Sequence, residues 1–582
     1  MRQILENMPM TKPPLFLFIT CLGLLSGCIA TPQKISEQPA QAISVPLDTP
    51  EEQPSQPFAI ETLYQLLVAD IALNRNHYKL ALEGYLQQAR ETKDIAIIEL
   101  AFKVAEYSRD NDASTELAIL WVDAAPQSRA AHKAALQAKA MQGDAIGALS
   151  HASWLFSQHN DVDAFLAITS LQLSKLQAQQ LIEAYQSLPL SSQQKPFVLL
   201  ASAILYRSSG QLQMAEQSAV AFLDNQPDNQ TGLLLLAQLM HQQDRIEEAA
   251  ALLDRALQRQ PNDRQLRLQY ARFLTITDLQ QAIAEFEALR REDPIDHEVN
   301  FLLALLLHNQ GQSDRAMGLF AQASQRASLR ADAQFHMGSI SESKGDTANA
   351  IKYYAQVRFG RNYVSAMSRL TLLLNQQYGL SAARQNLQRL RAEQPQQSVT
   401  LFQIESNLLV SLQKPELALS ILSDGLKAFP NDSQLLYARS MVAEQQDDFA
   451  LAEQDLRTLI AMDNDNAMAL NALGYSMILH TDRHQEAQRL IKRAYLLNPG
   501  DPAIIDSMGW VSFKLGQITE ALEYLQKAFD LLPDPEIAAH LGEVHWTLGD
   551  QQTALDTWRQ GLQQAPDHQS ITETMQRLGA KL

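Results

Sequence analysis

Few residues in this chain are placed to do chemistry, and their spacing narrows the set further. Only two cysteines occur, Cys21 and Cys28. Cys28 closes the stretch Leu25-Ser26-Gly27-Cys28, at the end of an eleven-residue apolar run from Leu15 that follows Arg2 and Lys12. A basic start, an apolar run of about 7–15 residues and small residues at its end make an export signal. A spanning helix needs roughly twenty apolar residues. A thiol at that boundary is set for modification, not for catalysis. His480 and His484 stand four apart, which could place two imidazoles on one helix face. They fall around an expected inter-helix turn with no third ligand nearby in sequence, so a solvated turn and no metal is the reading. His540 and His545 are five apart and point to different faces, with His545 in a packing position. No G-x-S-x-G, phosphate-binding loop or spare cysteine nucleophile is present. The expectation is a protein that is not an enzyme and needs no metal or cofactor.

The stretch ending at Cys28 resembles the lipobox of bacterial lipoproteins. That resemblance implies removal of a signal peptide, residues 1–27, a diacylglycerol on the Cys28 sulfur and an acylated amine. No thiol would then remain for a disulfide. Residue 29 is Ile, not the Asp that keeps many lipoproteins in the inner membrane. The implied location is the outer membrane, lipid-anchored and facing the periplasm. Residues 28–58 hold the lipidated Cys and a tether with Pro32, Pro39, Pro46, Pro50, Pro54 and Pro57. Such a composition is expected to remain disordered, because it cannot bury enough apolar surface to offset ordering. Its reach is roughly 90 Å if Pro-stiffened and nearer 30 Å as a coil. The formal charge is −18, which argues against binding nucleic acid or anionic lipid by charge and favours solubility.

A body of helices must position everything else. Ala recurs at 215, 249, 282, 316, 350, 383, 418, 452, 487, 521 and 554, always 33 to 35 residues apart, and Pro stands twelve residues later in eight of these eleven units. The period and pattern match the tetratricopeptide repeat. Gly or Ala at the eighth position and Ala at the twentieth let two antiparallel helices approach, while bulky residues at the fourth, seventh and twenty-fourth positions fill the space beside them. Gly210, Gly311, Gly345, Gly516 and Gly549 fall in the inter-helix turn, where positive φ favours glycine. Ala81, Ala148 and Ala215 are each 67 residues apart, two repeats, so looser units precede the clear ones. Helical patterns at 61–74, 95–107, 130–141 and 165–176 fit them. The expected fold is all-α, a right-handed superhelical solenoid of tetratricopeptide-type helix pairs. Residues 59–194 would hold about four degenerate units, 195–568 the eleven clear repeats, and 569–582 a capping helix.

The stretches 470–480, 501–517, 533–550 and 351–374 resemble a family of outer-membrane repeat lipoproteins with the same order of lipobox, Pro-rich tether and repeats. A member of that family is the adaptor of a periplasmic carboxyl-terminal processing protease. The resemblance implies a non-enzymatic scaffold that binds such a protease and promotes degradation of peptidoglycan hydrolases. The alternative is a scaffold for assembling or exporting outer-membrane, pilus or polysaccharide machinery. In tetratricopeptide repeats the fifth, ninth and twelfth positions of the first helix face the groove. With Gly474, Gly509 and Gly542 at the eighth position, these are Asn471, Tyr475 and Ile478, then Asp506, Trp510 and Phe513, then Ala539, Glu543 and Trp546. Asn471, Tyr475, Asp506, Trp510, Phe513 and Glu543 are the candidate partner-binding residues, since Tyr and Trp are common interface anchors. The alternative for Trp510 is packing against the neighbouring repeat.

Overall fold

In the computed structural model, residues 59–581 are described, and every regular element among them is a helix. Cys28, the signal peptide and the tether lie outside the described residues. Fifteen helix pairs run from Ile60–Asn74 with Tyr78–Thr92 to Pro535–Thr547 with Gln551–Gln564, and a single helix, Gln569–Leu578, follows. The chain divides into two compact units that meet in sequence between Asp293 and Pro294. The first holds seven pairs among its described residues; the second holds eight pairs and the final helix. None of the described helices is long and apolar enough to cross a membrane.

The small residues at the twentieth position explain why the pairs close. Ala215, Ala249, Ala282, Ala316, Ala350, Ala383, Ala418, Ala452, Ala487, Ala521 and Ala554 are all 0% exposed. At each of these sites a larger side chain would hold the two helices apart. The five turn glycines all have positive φ, between 74° and 84°, where a Cβ would be strained. Asp supplies the N-cap of helix after helix: Asp263, Asp296, Asp432 and Asp501 each accept from backbone N–H groups of the first turn. Part of the net negative charge therefore satisfies otherwise orphaned helix donors.

The eighth-position glycines are spaces that the second helix fills. A Cβ on Gly509 would come 2.6 Å from Leu525 Cγ, and one on Gly542 would overlap the Trp558 indole, with Cδ1 and Cε2 2.6 Å away. Trp558 is 0% exposed and donates from Nε1 to the Ala539 carbonyl at 3.3 Å. It has no room to retreat. We expect Gly542→Ala to lower stability by about 1–3 kcal/mol through overpacking, read as a lower denaturation midpoint for the C-terminal repeats.

The looser N-terminal units follow the expected helices at Ile60–Asn74, Ile95–Ser108 and Arg129–Met141. The expected helix over 165–176 is corrected. The chain forms Val162–Ala167, one 3₁₀ turn at Ile168–Ser170, and then breaks before Lys175–Gln186. The cause is local: Ser174 is extended at ψ 160°, and its hydroxyl caps Gln177 N–H at 3.3 Å while Gln177 Oε1 accepts from Ser174 N–H at 3.0 Å. This reciprocal cap starts a helix where the apolar spacing suggested the middle of one. The stretch 351–374 also departs from the plain repeat. Its helix Thr347–Tyr354 is only eight residues long, and the chain passes through the buried Val357 before Tyr363–Tyr378 begins.

At the C-terminal end, Gln569–Leu578 packs on the last pair and buries Ile571 and Met575. Its outward residues are Gln569, Thr572, Glu573, Gln576 and Arg577. An otherwise open solenoid face is thereby finished with polar groups.

Candidate functional site

The groove positions of the last three pairs lie on the first helices Ala467–His480, Pro502–Lys514 and Pro535–Thr547. The structure brings most of the predicted residues together, but around a centre the groove reading did not include, His540. Its Nδ1 lies 3.0 Å from Asp506 Oδ1 and 3.1 Å from Oδ2. Trp510 stacks on its ring at 4.0 Å between centroids and 18° between planes. Its Nε2 faces the Tyr475 hydroxyl at 3.5 Å and Glu536 at 3.9 Å. Tyr475 in turn donates to Glu536 at 3.2 Å. Phe513 stacks beside Trp510 at 5.3 Å, and the Lys514 ammonium sits 4.5 Å above the indole. Glu543 accepts from Arg577 of the final helix at 2.5 Å, and Ser570 donates to Glu536 at 2.6 Å.

Burial decides what this cluster does. Trp510, Asp506, His540 and Glu543 are each 4 to 5% exposed. Of the six predicted residues only Tyr475, Phe513 and Asn471 keep partial access to solvent, and Asn471 takes no part in the network. Ile478 and Ala539 are buried, and Trp546 leans on Trp558 at 5.7 Å. Trp510 thus packs against the neighbouring repeat through His540. Burial pulls the His540 imidazole down. The Asp506 carboxylate, by charge and hydrogen bond, with Glu536 and Glu543 behind it, more than offsets this and holds it above the ordinary histidine value. Burial, then Glu536 and Asp506, pushes the Tyr475 hydroxyl well above its usual range. An imidazole biased toward its protonated form among three carboxylates ties successive repeats and the final helix together. The His–carboxylate pair faces a phenol and a carboxylate.

His480 and His545 also find structural partners. His480 Nε2 lies 2.8 Å from Glu444 Oε1, and its ring stacks on Phe449. His545 is largely buried, 3.6 Å from Asp550.

A second surface escaped the sequence reading. Ile60, Leu63, Tyr64, Leu67 and Ile71 of the first helix are 87, 53, 59, 57 and 44% exposed. Their spacing of three and four places them in one stripe. The opposite side of the same helix buries Thr62, Ala69 and Ala72 against its own pair. A helix apolar on both sides belongs in an interior, and here one side faces solvent. The signal was present in the apolar spacing from Ile60 to Ile71. It was absorbed into the count of repeats, because a single stripe cannot say which of two apolar faces the body covers.

The tetratricopeptide repeat family matches over residues 200–264, 272–331, 309–363, 405–467 and 507–568. Among solved structures, a thermophilic TPR protein of Thermus thermophilus is 22% identical, covering 30% of this chain and 93% of its own, with a TM-score of 0.27. MamA of Desulfovibrio magneticus is 20% identical, covering 29% of this chain and 97% of its own, with a TM-score of 0.25. The TPR repeat-containing protein PA4667 of Pseudomonas aeruginosa is 34% identical over 532 residues, spanning 90% of this chain and 89% of that protein. Likeness of that extent, on a chain whose clear helix pairs each carry the repeat's buried alanine, makes this protein a member of the tetratricopeptide repeat family.

Proposed function

We propose that this protein is an outer-membrane lipoprotein adaptor, which binds a periplasmic carboxyl-terminal processing protease and promotes degradation of peptidoglycan hydrolases. Tetratricopeptide repeat arrays are protein–protein interaction scaffolds, and this supports the general part of the reading. The lipobox-like stretch at Cys28 and the family resemblance support the particular part.

The observation that carries the binding role is the apolar stripe Ile60, Leu63, Tyr64, Leu67 and Ile71. Large apolar side chains exposed together mark a surface that a partner covers. It lies at the start of the folded body, next to the tether, and offers one contact. The partly exposed edges of Asn471, Tyr475 and Phe513 on the last repeats are the proposed second contact. Trp510, Asp506 and Glu543 there hold the face in shape from beneath.

An adaptor with two contacts works by effective concentration, which reaches the order of millimolar when geometry permits. The test is reconstitution of the purified protease and a peptidoglycan hydrolase with and without this protein. The protein should cleave nothing alone and raise the protease's rate on the hydrolase on the order of tenfold or more at micromolar concentrations. If it has no effect on the protease, the adaptor reading gives way to an assembly or export scaffold.

A further inference from the structure

The N-terminal unit holds a cluster of imidazoles that scaffolding does not call for. In the third helix pair, His132 lies on Arg129–Met141 and His151 on Ala145–His159. Their Nδ1 atoms stand 3.2 Å apart. The other nitrogen of His132, Nε2, is 3.1 Å from the Pro126 carbonyl oxygen. A carbonyl only accepts, so Nε2 carries the proton and Nδ1 presents a lone pair. Trp154 lies flat on the His132 ring at 3.7 Å and 6°, and His159 meets the indole at 5.3 Å. His132 is 7% exposed and His151 is partly buried.

Two imidazoles can meet through a direct N–H···N hydrogen bond or by aiming both lone pairs at a common ion. Ring positions show how far the pair departs from an in-line bond. At this separation, an in-line hydrogen bond would set the ring centroids about 5.5 Å apart. A tetrahedral ion with bonds of about 2.05 Å sets the two nitrogens about 3.3 Å apart and the centroids about 5.2 Å apart. The observed values are 3.2 Å and 5.2 Å, with the ring planes at 61°. At least one nitrogen axis is therefore tilted off the line between the two atoms, as lone pairs aimed at a common ion would be. The Pro126 carbonyl is the kind of outer partner that fixes a ligating tautomer.

We propose that His132 and His151 bind a divalent first-row transition-metal ion, Cu²⁺ or Zn²⁺, through their two Nδ1 atoms. On binding, the proton of His151 moves from Nδ1 to Nε2, so both rings ligate as neutral imidazoles. No three or more His, Cys, Asp or Glu side chains converge on a metal position anywhere among the described residues. The site is therefore a two-ligand one, with solvent completing the coordination. Such a site favours Cu²⁺ over Zn²⁺.

The test is titration of Cu²⁺, and separately Zn²⁺, into the untagged, metal-free mature protein at neutral pH. One equivalent of Cu²⁺ should bind, quench fluorescence from Trp154, and give an electron paramagnetic resonance spectrum with two imidazole nitrogens. His151→Ala removes a partly exposed ligand and should weaken Cu²⁺ binding at least ~10-fold, with the helical spectrum unchanged. His159→Ala should bind as the wild type does, and Trp154→Phe should bind with the quenching lost. Absence of one-equivalent binding in the wild type, equal binding by His151→Ala, or a spectrum without imidazole nitrogens would overturn the assignment.

Discussion

Cys28→Ala is expected to move the protein from the membrane fraction to the soluble fraction. The reason is the scarcity of other anchors. No described helix is long and apolar enough to span a bilayer, and the net charge of −18 gives no attraction to an anionic surface. Lipid chains contribute about 0.8 kcal/mol per buried methylene, and one chain alone holds only marginally, whereas three hold firmly. Losing the thiol that carries the first of them, and with it the processing that adds the rest, should leave no firm hold. The measurement is flotation of membranes from cells expressing each form, with the unprocessed chain identified by its greater mass. If Cys28→Ala floats with outer-membrane vesicles as the wild type does, the lipoprotein reading is wrong.

Leu63→Asp combined with Leu67→Asp should abolish partner binding while leaving the body folded. Both side chains are more than half exposed, so the substitutions remove no packed group and create no cavity. In an interface they would place two carboxylates against an apolar surface. If these leucines are central anchors, each is worth roughly 2 kcal/mol, and together they should weaken binding by about 1,000-fold. The measurement is the affinity of the protease for each form, with melting recorded alongside. The same experiment at Trp510 would read differently. Trp510 is 5% exposed and stacked on His540, so Trp510→Ala should lower the melting temperature whether or not a partner touches that face. Unchanged affinity in the folded Leu63/Leu67 double variant would remove the N-terminal stripe from the adaptor mechanism.

The two surfaces show how far sequence can be read here. The groove positions were legible because the repeat's own geometry assigns them. Whether Trp510 is open or covered depends on what stands thirty residues on, at His540, and no spacing rule names that residue. Asp506 looked like a groove acid for the same reason; its partner is that imidazole, in the next repeat. The apolar run from Ile60 to Ile71 was legible as a helix, yet its exposed side could be told from its buried side only once Ala69 and Ala72 were seen against Tyr78–Thr92.

By itself the sequence determined the all-α class, the fifteen helix pairs with their closing helix, the buried alanine in each clear repeat and the turn glycines. Each repeat packs chiefly on its neighbours, so its requirements are local and recur as a period that can be counted. Tertiary structure alone decided the break at Ser174, the tie of Asp506, His540 and Trp510, the bare outer face of the first helix, and the meeting of His132 with His151. Each of these depends on which side chains from different helices share one space, and position in the repeat does not encode that.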